Sequence, residues 1–107
     1  MSYGESAGDP WYRARGLIGL SACLRANKRV EAAVRAAATA PRIMRRSGHR
    51  VEIAEATLQL AQARAAFGDP NRALTHARRA AEIAEECGHG AITRTAGRIL
   101  ARLESAG

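Results

Sequence analysis

Residues 54–89 read AEATLQLAQARAAFGDPNRALTHARRAAEIAEECGH, and residues 14–49 read ARGLIGLSACLRANKRVEAAVRAAATAPRIMRRSGH. An offset of forty residues pairs the two segments and makes nine positions identical: Ala14/Ala54, Leu20/Leu60, Ala26/Ala66, Ala33/Ala73, Ala37/Ala77, Ala40/Ala80, Ile43/Ile83, Gly48/Gly88 and His49/His89. A fixed period is typical of proteins built from stacked copies of one unit. The sequence therefore predicts two equivalent units. A partial third copy follows, because Ala96 and Leu100 stand forty residues after Ala56 and Leu60.

The stretch Phe67-Gly68-Asp69-Pro70 divides the second unit into two helices. Gly68 can adopt the left-handed conformation that ends a helix, Asp69 can cap the next helix, and Pro70 suits its first position. Gly48 and Gly88 are natural ends for the second helix of each unit. We expect five helices, at about 10–26, 29–46, 50–67, 70–87 and 90–104.

Composition points to the same fold class. The 107 residues include 25 alanines and 47% hydrophobic residues but only 4% aromatic residues, so the core must use small and aliphatic side chains. This usage favours helix over strand. We predict an all-α fold of about five antiparallel helices in a short repeat array. A flexible lead-in (1–8) precedes one domain (9–107), which comprises a unit at 10–49, a unit at 50–89 and a capping helix at 90–104.

The second unit resembles a tetratricopeptide repeat. Leu60-Ala61, Gly68-Asp69, Ala73-Leu74 and Ala80 follow the spacing of that motif. Its three small positions, which let helices pack closely, are matched by Ala61, Ala73 and Ala80, and in the first unit by Ser21, Ala33 and Ala40. The period departs from the usual thirty-four residues. Thr57, Arg64 and Ala77 replace the usual bulky or aromatic residues.

A narrower resemblance comes from the length of the unit and the final segment. Cys87-Gly88-His89, followed by a last helix that ends at Leu103-Glu104-Ser105, is similar to the repeat arm of large LuxR-type transcriptional regulators. This likeness implies a regulatory or scaffolding interaction domain.

The tetratricopeptide resemblance also implies where a partner binds. Such repeats bind a protein or peptide along the concave surface formed by the first helix of each unit. The matching positions are Arg15, Ile18, Ala22 and Arg25 in the first unit, Glu55, Leu58 and Gln62 in the second, and Thr95, Arg98 and Arg102 in the last helix. Four arginines against one glutamate favour an acidic partner.

The net charge of +7 leaves a second function open, a basic helical module that binds nucleic acid directly. The 16 arginines, however, are scattered along the chain among glutamates, which is more typical of a mixed, solvated surface. Salt dependence would separate the two, because phosphate contacts weaken steeply as salt rises.

No arrangement of residues suggests catalysis. The sequence lacks GxGxxG, GxxxxGK[ST] and HExxH motifs, and Cys87, His89 and His76 do not make a convincing metal site. We expect no enzyme activity, no cofactor and no bound metal.

Cys23 and Cys87 are far apart and form no CxxC pair, so we expect buried, reduced thiols and a cytoplasmic protein without a membrane span. The last helix carries Ile92, Ile99, Leu100 and Leu103, and this apolar flank predicts a homodimer contact.

Overall fold

The computed structural model describes residues 10–45 and 50–106, and these residues form helices and no strands. The five helices are α1 (Pro10–Ala26), α2 (Val30–Met44), α3 (Arg50–Phe67), α4 (Pro70–Cys87) and α5 (Gly90–Ala106). The predicted all-α helical array is confirmed. The bounds differ in that α2 begins at Val30 and ends at Met44, whereas α5 continues to Ala106. The predicted lead-in, Gly48 and His49 lie outside the described residues.

The corner between α3 and α4 forms as its sequence predicts. Gly68 has φ +90°, and the Asp69 carboxylate accepts a hydrogen bond of 3.3 Å from the backbone N–H of Arg72. The equivalent corner in the first unit uses Lys28 and Arg29 instead. Lys28 takes the same left-handed conformation, at φ +64°, and the Arg29 side chain makes no capping hydrogen bond. The backbone path therefore repeats although the residues that favour it do not.

The turn between α4 and α5 gives structural roles to Gly88 and His89. Gly88 has φ +70°, and its N–H together with that of His89 donates to the carbonyls at the end of α4. His89 then caps α5, because its Nδ1 accepts a hydrogen bond of 3.3 Å from the N–H of Ile92. His89 is accounted for by this structural role.

The helices pack closely on small side chains. Seven alanines on α2 and α4 are completely buried: Ala33, Ala37, Ala40, Ala73, Ala77, Ala80 and Ala84. The buried Ser21 hydroxyl on α1 donates a 2.8 Å hydrogen bond to the carbonyl of Ala33 on α2. Small residues at these positions let neighbouring helices approach, as the sequence predicts.

Helix α3 is the centre of the array, because it contacts each of the other four described helices. By contrast, α1 does not contact α5, and α2 does not contact α4. Two grooves are therefore open over α3, one between α1 and α5 and the other between α2 and α4.

Leu20 and Leu60 occupy equivalent positions in α1 and α3 but have different surroundings. Leu60 is 7% exposed and packs with Ala33, Val34 and Ala37 of α2. Leu20 is 48% exposed, because no described helix covers the corresponding face of α1. The difference reflects the position of α1 at the edge of the array.

The prediction that the two cysteines are buried is wrong, since both thiols are exposed. Cys87 is the last residue of α4, where the helix gives way to the turn at Gly88. Cys23 lies three residues after Leu20, on the same uncovered face of α1. Its equivalent in the second unit, Ala63, is fully buried beneath α2.

Candidate partner-binding groove

Equivalent positions of successive units meet on the surface formed by α1, α3 and α5. Arg15 and Glu55 are forty residues apart, and Arg15 Nη1 lies 2.8 Å from Glu55 Oε1. Thr95 occupies the same position in the last helix. This contact and the one between Arg25 and Gln62, further along both helices, indicate that the first helices of the two units lie side by side in the same direction.

Arg25 makes a second bond between units, but its partner is neutral. Its Nη1 donates a 2.7 Å hydrogen bond to Oε1 of Gln62. Burial lowers the pKa of the Arg25 guanidinium below its ordinary value. An arginine in this state has lost part of its hydration and has no carboxylate in compensation, so an incoming anion would gain a strong, charge-assisted contact.

A groove of about 500 Å³ lies over this pair. Its lining comprises Arg25, Gln62, Ala65, Ala66, Ile99, Arg102 and Leu103. Helix α3 supplies the floor, while α1 and α5 supply the walls. The groove combines two positive charges with apolar surface, and its size falls in the range of ordinary ligand sites. We call it the inner groove.

The structure places the predicted site residues in several different surroundings. Arg25, Gln62 and Arg102 line the inner groove, and Arg15 pairs with Glu55 outside it. Ile18 and Leu58 are buried in the core, so they offer little surface to a partner. Ala22 is half-buried, and the exposed Arg98 donates a 3.3 Å hydrogen bond to Thr95 on its own helix.

A smaller cavity of about 320 Å³ lies beside the inner groove, between α3 and α5. Glu55, Leu58 and Thr95 line it together with Gln59. The Gln59 Oε1 atom is buried and has no hydrogen-bond partner. This acceptor faces no described donor.

Ile99 and Leu103 are the groove residues that sequence reasoning assigned elsewhere. It placed them, with Ile92 and Leu100, on a flank for a second subunit. Ile92 and Ile99 are instead buried within the chain, and Leu100 and Leu103 pack against the same core. The signal that could have placed Leu103 in the groove is its position next to Arg102, which matches Gln62 at the forty-residue offset.

Within the described residues, no group of three or more histidine, cysteine, aspartate or glutamate side chains could hold a metal ion. Within the same residues, no helix has the length and apolar character needed to cross a membrane.

Comparison of the chain with protein-family models, with curated proteins and with solved structures gave no match. The arguments for function therefore come from the chain itself.

Proposed function

We propose that the protein is a non-catalytic interaction module that binds an acidic peptide segment of a partner protein in the inner groove. One observation carries the proposal: Arg25 and Arg102 line the same groove as Ile99 and Leu103. A carboxylate can satisfy the arginines while a neighbouring aliphatic side chain contacts the apolar wall. We also propose a scaffolding or regulatory role, as the family resemblances imply, and a cytoplasmic location.

Charge balance supports an acidic partner. Glu55 is already paired with Arg15, so it does not neutralise Arg25 or Arg102. No described hydrogen bond or ion pair involves Arg102, and Arg25 bonds only to a neutral amide. Two arginines that lack carboxylate partners face the same space.

The test is selection of peptides from a random phage-displayed library on the immobilised chain. We expect the selected sequences to place aspartate or glutamate next to leucine, isoleucine or valine. A synthetic peptide of the selected sequence should then bind the Arg25→Gln, Arg102→Gln double variant roughly two- to thirtyfold more weakly, since each partly exposed ion pair contributes about 0.2–1 kcal/mol. Isothermal titration calorimetry gives the affinities.

Arg35→Gln is the matched control, because Arg35 is an exposed arginine on α2, away from the inner groove. It should bind the peptide like the original chain. Selection of basic or wholly apolar peptides, or an equal loss in the control, would contradict the proposal. So would binding of short oligonucleotides in preference to peptides with an affinity that falls steeply with salt, which is the behaviour expected of a nucleic-acid module.

A homodimer through α5 is a separate expectation within the proposal. It would depend on Leu100 and Leu103, because Ile92 and Ile99 are already buried. Sedimentation equilibrium of the original chain and of Leu100→Ala tests it.

A further inference from the structure

The second groove over α3 lies between α2 and α4 and has a volume of about 610 Å³. We call it the outer groove. Its floor is one face of α3, where Ile53, Thr57, Leu60 and Arg64 recur at spacings of three and four residues. Its walls come from α2 and α4, which do not touch each other.

Charge distinguishes the outer groove from the rest of the surface. Among the described residues that line it, none is acidic and six are basic: Arg42, Arg45, Arg50, Arg64, His76 and Arg79. Arg42, Arg45 and Arg50 lie within nine residues of sequence around the end of α2 and the start of α3, whereas Arg64, His76 and Arg79 come from further along α3 and from α4. The packing of the helices brings these basic residues together around one groove.

Nearby carboxylates offset only part of this charge. Arg50 pairs with Glu86, and Arg64 Nη1 lies 3.9 Å from Asp69 Oδ2. Arg42, Arg45 and Arg79 make no ion pair with a described residue. Five arginines against two carboxylates leave three positive charges around one groove.

Arg64 adds an unsatisfied donor. Its side chain is only 20% exposed, and its Nε–H is buried without a hydrogen-bond partner. An unmade hydrogen bond at a buried charged group is costly, and a ligand oxygen would remove that cost. The Thr57 hydroxyl, in contrast, already donates to the carbonyl of Ile53 at 2.7 Å.

The surroundings of His76 in the outer groove affect the pKa of its imidazole ring. Burial lowers its pKa from the ordinary value of 6.5, and the positive charges of Arg64 and Arg72 lower it further, while Asp69 acts in the opposite direction. The ring is therefore neutral at pH 7, and it can donate one N–H to an anion. A bound anion would offset the arginines and raise the pKa of His76.

We infer that the outer groove binds the phosphate group of a small phosphorylated organic molecule. Guanidinium groups match phosphate oxygens with paired hydrogen bonds, and several around one groove can hold a multiply charged group. Ile53 and Leu60 offer the organic body an apolar floor. The described lining residues include no phenylalanine, tyrosine or tryptophan, the side chains on which single-stranded nucleic acids commonly stack their bases.

The experiment titrates the full chain with glycerol 3-phosphate, inorganic phosphate and a short thymidine oligonucleotide at constant ionic strength. NMR follows the His76 ring protons and the Arg64 Nε–H. We expect glycerol 3-phosphate to bind more tightly than inorganic phosphate, to shift both signals and to raise the pKa of His76. The double variant Arg42→Gln, Arg79→Gln should bind glycerol 3-phosphate more weakly, by about tenfold or more. Both positions are exposed, so the double variant should keep the circular dichroism spectrum of the original chain.

Arg13→Gln is the control, because Arg13 is an exposed arginine on α1 that lines neither groove; it should leave phosphate binding unchanged. Equal affinities for glycerol 3-phosphate and inorganic phosphate would overturn the inference of an organic ligand. Tighter binding of the oligonucleotide, growing with its length, would replace the site with a nucleic-acid surface. Absence of His76 and Arg64 shifts, or an equal loss in Arg13→Gln, would remove the site altogether. None of these outcomes bears on peptide binding in the inner groove.

Discussion

Lys28 and Gly68 hold the same backbone conformation at equivalent corners, and only one of them is suited to it. A left-handed conformation costs a residue with a Cβ about 1–2 kcal/mol, whereas glycine avoids that cost at some expense of chain entropy. Lys28 is exposed and forms no described ion pair. The lysine therefore strains the first unit without an evident compensating contact.

We predict that Lys28→Gly raises the free energy of unfolding by about 1 kcal/mol. Urea denaturation followed by circular dichroism measures it. Gly68→Lys is the reciprocal variant and should lower stability by a similar amount. A loss of stability in Lys28→Gly would show that the side chain contributes more than its conformation costs.

Some residues at the helix corners could be predicted from the sequence, and others could not. Gly68, Asp69 and Gly88 were predicted correctly because their roles depend on their immediate neighbours in the chain. The left-handed conformation of Lys28 could not be foreseen from its own side chain. Only the forty-residue equivalence with Gly68 hints at it.

At the scale of elements, tight contact between helices depends on completely buried alanines. Ala77 on α4 has no exposed surface and belongs to the main core cluster. A larger side chain there must displace its neighbours, because protein interiors are closely packed.

We predict that Ala77→Leu lowers the free energy of unfolding by about 1–3 kcal/mol. Ala101→Leu makes the same chemical change at an exposed position of α5 and should alter stability by less than about 0.5 kcal/mol. Thermal and urea denaturation of the two variants provide the comparison. Equal effects at the two sites would contradict the proposed packing of α4.

The helices themselves were largely predictable from the sequence. Periodicity and corner residues determine where α1, α3 and α4 begin and end, and the observed bounds match the predicted ones. The exposure of Cys23 was not predictable, because burial depends on which neighbouring helix covers a face. Repetition alone made Cys23 look like Ala63.

For the whole molecule, contacts between units hold the array in register. The Arg15–Glu55 pair joins α1 to α3 at matching positions and is partly shielded from water. Such a pair should couple the two units weakly but measurably.

We predict a coupling energy of about 0.2–1 kcal/mol from a double-mutant cycle of Arg15→Ala and Glu55→Ala, decreasing with added salt. The more exposed Arg78–Glu104 pair, at 3.4 Å, serves as the comparison and should give a smaller value. Coupling that is absent at Arg15–Glu55 would show that this ion pair does not help to join the two units.

The two grooves were only partly predictable. The family resemblance pointed to Arg25, Gln62 and Arg102, but the partners of individual arginines depend on how the helices curve around α3. The outer groove was missed entirely, since only the packing of the helices brings Arg64, His76 and Arg79 close to the arginines around the end of α2 and the start of α3.

The contrast between Leu20 and Leu60 measures what one neighbouring helix contributes: the same side chain in the same register passes from about half exposed to nearly enclosed. Leu20 therefore lies on the uncovered face of α1 at the position where, in α3, Leu60 packs against α2. In protein engineering, a further helix pair copied from this chain could be fused at this face of α1 to lengthen the molecule. The surface that the added pair would contact would need no redesign.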